Sequence, residues 1–250
     1  AVYASGLVEA WIGIGLTIGA WFNWRIVAPR LRSYTETARN SITIPSFYGN
    51  RLHDERGILR IITGLIILVY FTFYISSGMV SGGTFFESSF HLPYLWGMLL
   101  VAGVTVLYTL VGGFLAVSRT DFIQGVMMFF AILVVPVGAA LMLGGFSATA
   151  DLIHAQHAAF FAPLTKPDGS TLGFIEFISL MGWGLGYFGQ PHILVRFMAI
   201  RHAEELPQAT RIAMSWVVIS LSAAILVGMV GAVYLKTPLA GTATETVFLT

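Results

Sequence analysis

The chain has 250 residues, of which 56% are hydrophobic and 10% charged, and its mean hydropathy is +0.81. Soluble domains carry about 25% charged residues, so the composition excludes a soluble globular protein and indicates an integral membrane protein. The sequence contains no cysteine, so it offers no disulfide framework and no thiolate chemistry. The formal net charge is +1, and we expect no nucleic-acid partner.

Six apolar segments are long enough to cross a bilayer core, which takes roughly 20 helical residues. They are continuously apolar rather than alternating, so they predict helices and not strands. Their approximate bounds are 7–24, 59–85, 94–117, 122–143, 172–199 and 212–235.

Arginine predicts the orientation of these spans, because cytoplasmic loops retain an excess of positive charge. Arginines cluster in the connections between spans one and two, three and four, and five and six, which lie on the same side of the membrane if the spans alternate. Only Lys166 and Lys236 remain for the opposite side. The segment 25–60 is therefore expected to be a cytoplasmic loop with helix ends. The arginines of these connections are Arg25, Arg30, Arg32, Arg39, Arg51, Arg56, Arg60, Arg119, Arg196, Arg201 and Arg211.

Asp121 lies near the start of the fourth predicted span, two residues after Arg119, which we expect in a tight turn. Carboxylates within membrane spans are costly and usually functional. The closeness to Arg119 nevertheless favours, from the residues alone, an interfacial aspartate that caps the span.

The longest external connection is predicted at 144–171. Residues 151–157 resemble a short amphipathic helix, in which His154 and His157, three residues apart, could face the same way. No third ligand is spaced to complete a metal site, so we interpret the segment as a solvated surface helix and expect no metal centre.

The segment from Met181 to His192 places four glycines and Pro191 inside an otherwise apolar span. Glycine removes side-chain obstruction and proline removes a backbone donor, so the helix is expected to break here. Broken backbone at membrane depth is tolerated only where it is buried in protein or lines a watery cavity. The segment is therefore the candidate substrate site, with the backbone at Gly184 and Gly186 open to a solute.

Trp183 and Tyr187 lie within this glycine-rich segment and would share one face if the turn remains α-helical. They could then offer an aromatic surface to an ammonium group. The alternative assigns such residues to interfacial belts and close helix packing. That alternative fits poorly, because both lie deep in the span. His192 is interpreted as a buried histidine rather than a proton relay.

The sequence motifs of several enzyme classes are either absent or lie in a setting that does not suit them. Residues 184–189 fit G-x-G-x-x-G, but a dinucleotide site needs a preceding strand within a soluble unit. The chain has no phosphate-binding G-x-x-x-x-G-K-[ST] motif, no nucleophile elbow and no H-E-x-x-H motif. We therefore expect a transporter and not an enzyme.

Two stretches resemble the solute:sodium symporter family, and within it the bacterial symporters that take proline. The first runs from Gly182 to Ala199, and the second from Leu107 through Gly112-Gly113 to Gln124. The resemblance covers essentially the whole chain. It implies a leucine-transporter-like fold of inverted repeats, incomplete here, with about six transmembrane helices, one of them broken. The absence of an initiator Met and the apolar run beginning near Thr250 likewise predict a piece of a longer transporter.

The resemblance also implies roles for individual residues. Trp183, Tyr187 and Pro191 match positions implicated in proline binding, and Tyr74 resembles a tyrosine lining the same cavity, with a buried structural tyrosine as its alternative. Asp121 matches an acidic residue tied to sodium coupling, which moves its interpretation away from a cap.

The sequence thus predicts a single transmembrane transporter domain over 1–250 that imports L-proline with Na⁺ as coupling ion across the bacterial inner membrane by alternating access. Two alternatives stay open. One is a symporter of the same family for another small organic solute, such as a sugar, a vitamin carboxylate or a related cyclic amine. The other is a membrane sensor that kept the scaffold without transport.

Overall fold

The computed structural model describes residues 1–156, 159–235, 237–239 and 241–249, and every regular element in these ranges is helical. The α-helices are α1 (Val2–Ser5), α2 (Ala10–Phe22), α3 (Ala28–Thr37), α4 (Ile44–Arg51), α5 (Ile58–Phe90), α6 (Tyr94–Met142), α7 (Phe146–Gln156), α8 (Phe174–Gly182), α9 (Pro191–Met198) and α10 (Leu206–Tyr234). A π-turn covers Asn23–Val27, and 3₁₀ segments cover Gly6–Glu9, Trp183–Phe188, Ala203–Glu205 and Gly241–Thr246.

Within these described ranges, four helical stretches are long and apolar enough to cross a membrane: Val2–Thr37, Ile58–Phe90, Tyr94–Met142 and Ala203–Tyr234. They cover five of the six predicted spans, because α6 contains two of them. The remaining predicted span, 172–199, forms a shorter apolar helix that breaks. The prediction of an all-α, multi-pass membrane protein is confirmed.

Helix α6 corrects the predicted turn around Arg119. The chain is helical through Arg119 and Asp121, and the interruption lies earlier, at Gly113, with φ 53° and ψ −147°. This backbone region is essentially restricted to glycine, and a Cβ on the preceding Gly112 would overlap the side chain of Ala116. The capping alternative for Asp121 is therefore wrong, because Asp121 lies inside a helix that has already begun.

The described chain divides into two compact units. Unit 1 comprises Ala1–Val8, Thr72–Ser170 and Ser222–Thr250. Its core contains Ile153, Phe160 and Met229, and the N–H of Leu7 donates to the carbonyl of Phe160 at 2.8 Å.

The described residues of the predicted external connection 144–171 belong to unit 1 as far as Ser170, and the helix predicted from Asp151 starts earlier, at Phe146. A turn follows, in which the N–H of Lys166 donates to the carbonyl of Ser170 at 2.8 Å. The hydroxyl and N–H of Ser170 both donate to Asp168 and hold the pKa of that carboxyl below its usual value. His157 and Lys236 lie outside the described residues.

Unit 2 comprises Glu9–Phe71 and Thr171–Leu221. Ala28, Phe197 and Leu206 form its core, where the rings of Trp24 and Phe197 meet edge to face with centroids 4.7 Å apart. This contact packs the N-terminal membrane helix against α9.

Arg32, one of the arginines of the predicted cytoplasmic segment 25–60, is buried in unit 2. It is 5% exposed and donates to Asn40 Oδ1 at 2.9 Å and to the carbonyl of Arg201 at 3.2 Å. The second bond ties α3 to the segment that follows α9. A basic residue counted for topology thus also fixes the packing of unit 2.

Candidate functional site

The break predicted between Met181 and His192 is present in unit 2. Helix α8 ends at Gly182, the chain tightens into the 3₁₀ segment Trp183–Phe188, and Gln190 is extended before α9 begins at Pro191. Proline suits the first position of a helix, because the N–H it lacks would have no intrahelical partner there. The segment is therefore two short helices joined by irregular backbone, and the break leaves backbone donors and acceptors without helical partners.

A stripe of small residues on α2 packs directly against this break. A Cβ on Gly15 would overlap the carbonyl of Met181, and a Cβ on Gly19 would overlap the carbonyl of Gly184. In return, a Cβ on Gly184 would overlap the carbonyl of Gly15. The two backbones touch because none of these three positions carries a side chain.

Asn23 continues the same stripe, four residues after Gly19, at the start of the π-turn. Its side chain is fully buried, and Nδ2 donates to the carbonyl of Tyr187 at 2.9 Å. The other amide atom, Oδ1, is buried with no hydrogen-bond partner among the described residues. A polar side chain from the first membrane helix thus reaches the middle of the break.

The 3₁₀ segment changes the expected relation between the two predicted aromatic ligands. Residues three apart eclipse in a 3₁₀ helix, so Trp183 and Tyr187, four apart, point about one third of a turn away from each other. Trp183 is 62% exposed, whereas Tyr187 is only partly exposed. The shared aromatic face expected for an α-helical turn is therefore not formed, and the pair instead flanks the segment from two sides.

The two predicted backbone positions differ in access. Gly184 is buried against Gly15 and Gly19, whereas Gly186 is exposed, and a Cβ added to it would meet only the side chain of Gln190, at 4.0 Å. Of the two, Gly186 presents open backbone in this structure.

Pro191 and His192 begin α9 on the far side of the break, and both are partly exposed. The His192 ring meets the ring of Phe71 edge to face with centroids 5.9 Å apart. This aromatic contact packs the His192 ring against α5, although His192 is partly exposed and not buried as the sequence suggested.

Tyr74 and Asp121 belong to unit 1. Tyr74 lies in the middle of α5 with its side chain 55% exposed, and Asp121 lies within α6, partly exposed, beyond the kink at Gly113. The structure thus brings Trp183, Gly184, Gly186, Tyr187 and Pro191 together in unit 2.

Three residues that we did not anticipate join this site: Gly15, Gly19 and Asn23. The signals were in the sequence. Gly15 and Gly19 form a G-x-x-x-G pair within an apolar helix, which is typical of close helix packing in membranes. Asn23 is a polar residue at the end of the same apolar run. Among the described residues, no group of three or more histidine, cysteine or acidic side chains could hold a metal ion.

Comparison with known proteins supports the resemblance that these motifs carry. A family model described as the sodium:solute symporter family matches residues 1–247. The chain is 51% identical over 234 residues to the high-affinity proline transporter PutP of Bacillus subtilis (strain 168), covering 94% of this chain and 48% of that protein. It is 50% identical over 231 residues to the sodium/proline symporter of Staphylococcus aureus, covering 92% and 44%. The chain spans about half the length of the curated relatives it matches. No solved structure gives a significant match.

Proposed function

The chain belongs to the sodium:solute symporter family, and from that premise we propose that the protein imports L-proline together with Na⁺. It is a multi-pass protein of the bacterial plasma membrane, and membership of a symporter family makes it a transporter. The choice of proline rests on the names of relatives that are half identical to it: a proline transporter and sodium/proline symporters.

The observation that carries the proposal is the broken segment at residues 183–190. Secondary transporters commonly bind their solute at discontinuous helices, whose free amide ends face anionic groups and whose free carbonyls coordinate Na⁺. The break in unit 2 places the carboxyl end of α8 and the amino end of α9 on either side of a segment that carries two aromatic side chains, and the two kinds of helix end carry opposite partial charges. L-Proline carries a carboxylate and an ammonium group, so the segment matches the two charges of this solute.

Within this proposal, Trp183 and Tyr187 contact the ammonium and ring of proline, and Pro191 sets the break that frees the backbone. The exposed Gly186 leaves room for the solute to approach the segment. Gly184 acts through packing, because it lies buried against α2. Tyr74 contributes to the solute cavity, and Asp121 is linked to sodium coupling.

The family fold proposed from these relationships is a leucine-transporter-like inverted repeat, with residues 25–60 in the cytoplasm and 144–171 outside. Sodium and proline then bind together in the outward-facing state, and a conformational exchange exposes both to the cytoplasm. Sodium raises the affinity for proline, and by linkage proline raises the affinity for sodium by the same factor.

The full-length protein reconstituted in liposomes tests this proposal. An inward sodium gradient should drive accumulation of radiolabelled L-proline, and replacing sodium by potassium should abolish it. Excess unlabelled proline should compete, whereas a sugar or a vitamin carboxylate should not. Uptake independent of sodium would contradict the coupling, and uptake of another solute that proline does not inhibit would assign a different substrate.

A further inference from the structure

We propose that Asn23 is a positioning residue of the transport site, which fixes the broken segment by donating a hydrogen bond to the backbone of Tyr187. The proposal rests on the function proposed above. It adds a residue of the first membrane helix to a site whose predicted ligands in unit 2 all lie between Trp183 and Pro191.

The need for this bond follows from the sequence of the break. In a continuous α-helix, the carbonyl of Tyr187 would accept from the N–H of the residue four positions later. That residue is Pro191, which has no N–H. The carbonyl is thus left without its helical donor by the same proline that creates the break.

Asn23 supplies the missing donor. Its Nδ2 lies 2.9 Å from the Tyr187 carbonyl oxygen, although the two residues are 164 positions apart in the chain. The contact is possible because Gly15 and Gly19 let α2 approach the backbone around Gly184 without intervening side chains. The glycines therefore set the distance between α2 and the broken segment, and Asn23 makes the hydrogen bond across it.

Packing alone does not account for an asparagine at this position. The side chain is fully buried, and Oδ1 has no hydrogen-bond partner among the described residues. A buried polar atom without a partner is unfavourable, and an apolar residue of similar volume would avoid that cost. The amide is retained for the bond that Nδ2 makes. Asn23 also begins a π-turn, a helical irregularity that is frequent at functional sites.

The hydrogen bond from Asn23 lies where it can affect solute binding. Tyr187 carries both the carbonyl held by Asn23 and a side chain proposed to contact proline. Without the bond, the 3₁₀ segment can rotate or shift, and the aromatic side chain moves with it. Loss of the donor should therefore weaken proline binding more than it slows the transport cycle.

Two substitutions separate the donor from the shape of the side chain. Asn23→Leu removes the donor at every pH. Asn23→Asp keeps the shape, but a carboxyl group donates only when it is protonated, whereas a carboxylate only accepts. Acidification should therefore restore the bond in Asn23→Asp and not in Asn23→Leu. Arg25, Glu176 and His192, on the π-turn, α8 and α9, are unchanged in all variants, so dividing each value by that of the wild type at the same pH removes their titration.

The measurements are sodium-driven proline uptake by the full-length protein, corrected for the amount in the membrane, and thiol labelling of a reporter at Leu185→Cys. Leu185 lies in the 3₁₀ segment and is 72% exposed, and these 250 residues contain no other cysteine. Any native cysteine elsewhere is replaced first. Asn50→Asp is the matched control, because the Asn50 amide donates to Ser41 Oγ in the same unit but away from the break.

We expect Asn23→Leu to raise KM for proline about fivefold or more, the effect of losing one hydrogen bond, with a smaller change in kcat and an altered labelling rate at position 185. Asn23→Asp should be close to wild type in acid, where its carboxyl group is protonated and donates, and should develop the same defect as the pH rises, while Asn50→Asp follows the wild type throughout. Wild-type KM and labelling in Asn23→Leu would overturn the proposal. Equal defects in both variants at every pH would also overturn it, because the shape of the residue would then matter and not its donor. Absence of proline uptake in the wild type would refute the proposed function instead, and the labelling rates would still test Asn23.

Discussion

Tyr187 and Trp183 carry most of the chemical specificity proposed for this chain, and they do so from different sides of a short 3₁₀ segment. A cation near an aromatic face gains about 0.5–2 kcal/mol, depending on how fully the site excludes water. An ammonium group gains this attraction at either face, and neither ring has to stack on the other.

Replacing either aromatic by alanine should therefore weaken proline transport. Trp183→Ala or Tyr187→Ala is expected to raise KM for proline roughly 2- to 30-fold, the range that corresponds to one lost cation–π contact, and Trp183→Phe should retain part of the affinity. Initial rates of sodium-driven uptake measure this. Leu185→Ala is the control, since Leu185 is an exposed, purely apolar side chain of the same segment. Unchanged KM in both aromatic variants would refute their role.

The prediction for Gly184 concerns the stability of the fold and not solute binding. A Cβ at this position would overlap the carbonyl of Gly15, whereas a Cβ on Gly182 would meet nothing within 4 Å. Gly184→Ala should lower the free energy of unfolding by about 1–3 kcal/mol, the usual cost of overpacking. Thermal unfolding of the purified protein measures the difference. Gly182→Ala should leave the midpoint unchanged or raise it slightly, because alanine favours helix. Equal midpoints in the two variants would contradict the close backbone approach.

Among the elements, the membrane helices and the break were the features that sequence could predict. Long apolar runs define spans by length alone, and the glycines before Pro191 located the break in the right segment. The form of the break was not predictable, because a 3₁₀ segment depends on tertiary partners such as the Asn23 amide. Asn23 itself was missed, since its role appears only when its side chain reaches a residue 164 positions away in the chain.

In the long helix α6, the sequence predicted a turn at the wrong place. Charged residues at Arg119 and Asp121 suggested a turn there, but the helix is interrupted at Gly113, where the backbone angles are essentially restricted to glycine. Charge predicted an interface, and backbone sterics decided the location of the kink.

Gly113→Ala tests that explanation. The substitution forces a side chain into a region that costs about 1–3 kcal/mol for other residues, so the protein should be destabilised by a similar amount. Gly103→Ala in the same helix is the matched control, because its Cβ would meet nothing within 4 Å and its backbone is helical. It should be neutral or slightly stabilising. Thermal midpoints of the two variants decide the matter, and a Gly113→Ala protein as stable as wild type would refute a required kink.

For the molecule as a whole, composition sufficed to assign a multi-pass membrane protein, and two glycine-containing motifs sufficed to suggest the family. The proposed solute cavity could not be assembled from the sequence in the same way. Its predicted residues come from distant parts of the chain, and Tyr74 and Asp121 belong to unit 1 while the aromatic pair belongs to unit 2. Their joint action is therefore a question of energetic coupling, which binding measurements can address without a distance.

Coupling between Na⁺ and proline must be reciprocal if one protein binds both. In the full-length protein, saturating sodium should raise the affinity for proline by a factor of about 5–150, the range typical of coupled sites, and saturating proline should raise the affinity for sodium by the same factor. Equilibrium binding of radiolabelled proline and of radioactive sodium measures the two factors independently.

Asp121→Asn should weaken sodium binding while leaving proline affinity near wild type once sodium is saturating, whereas Trp183→Ala should weaken proline binding at every sodium concentration. Equal behaviour of the two variants would show that Asp121 has no specific link to sodium.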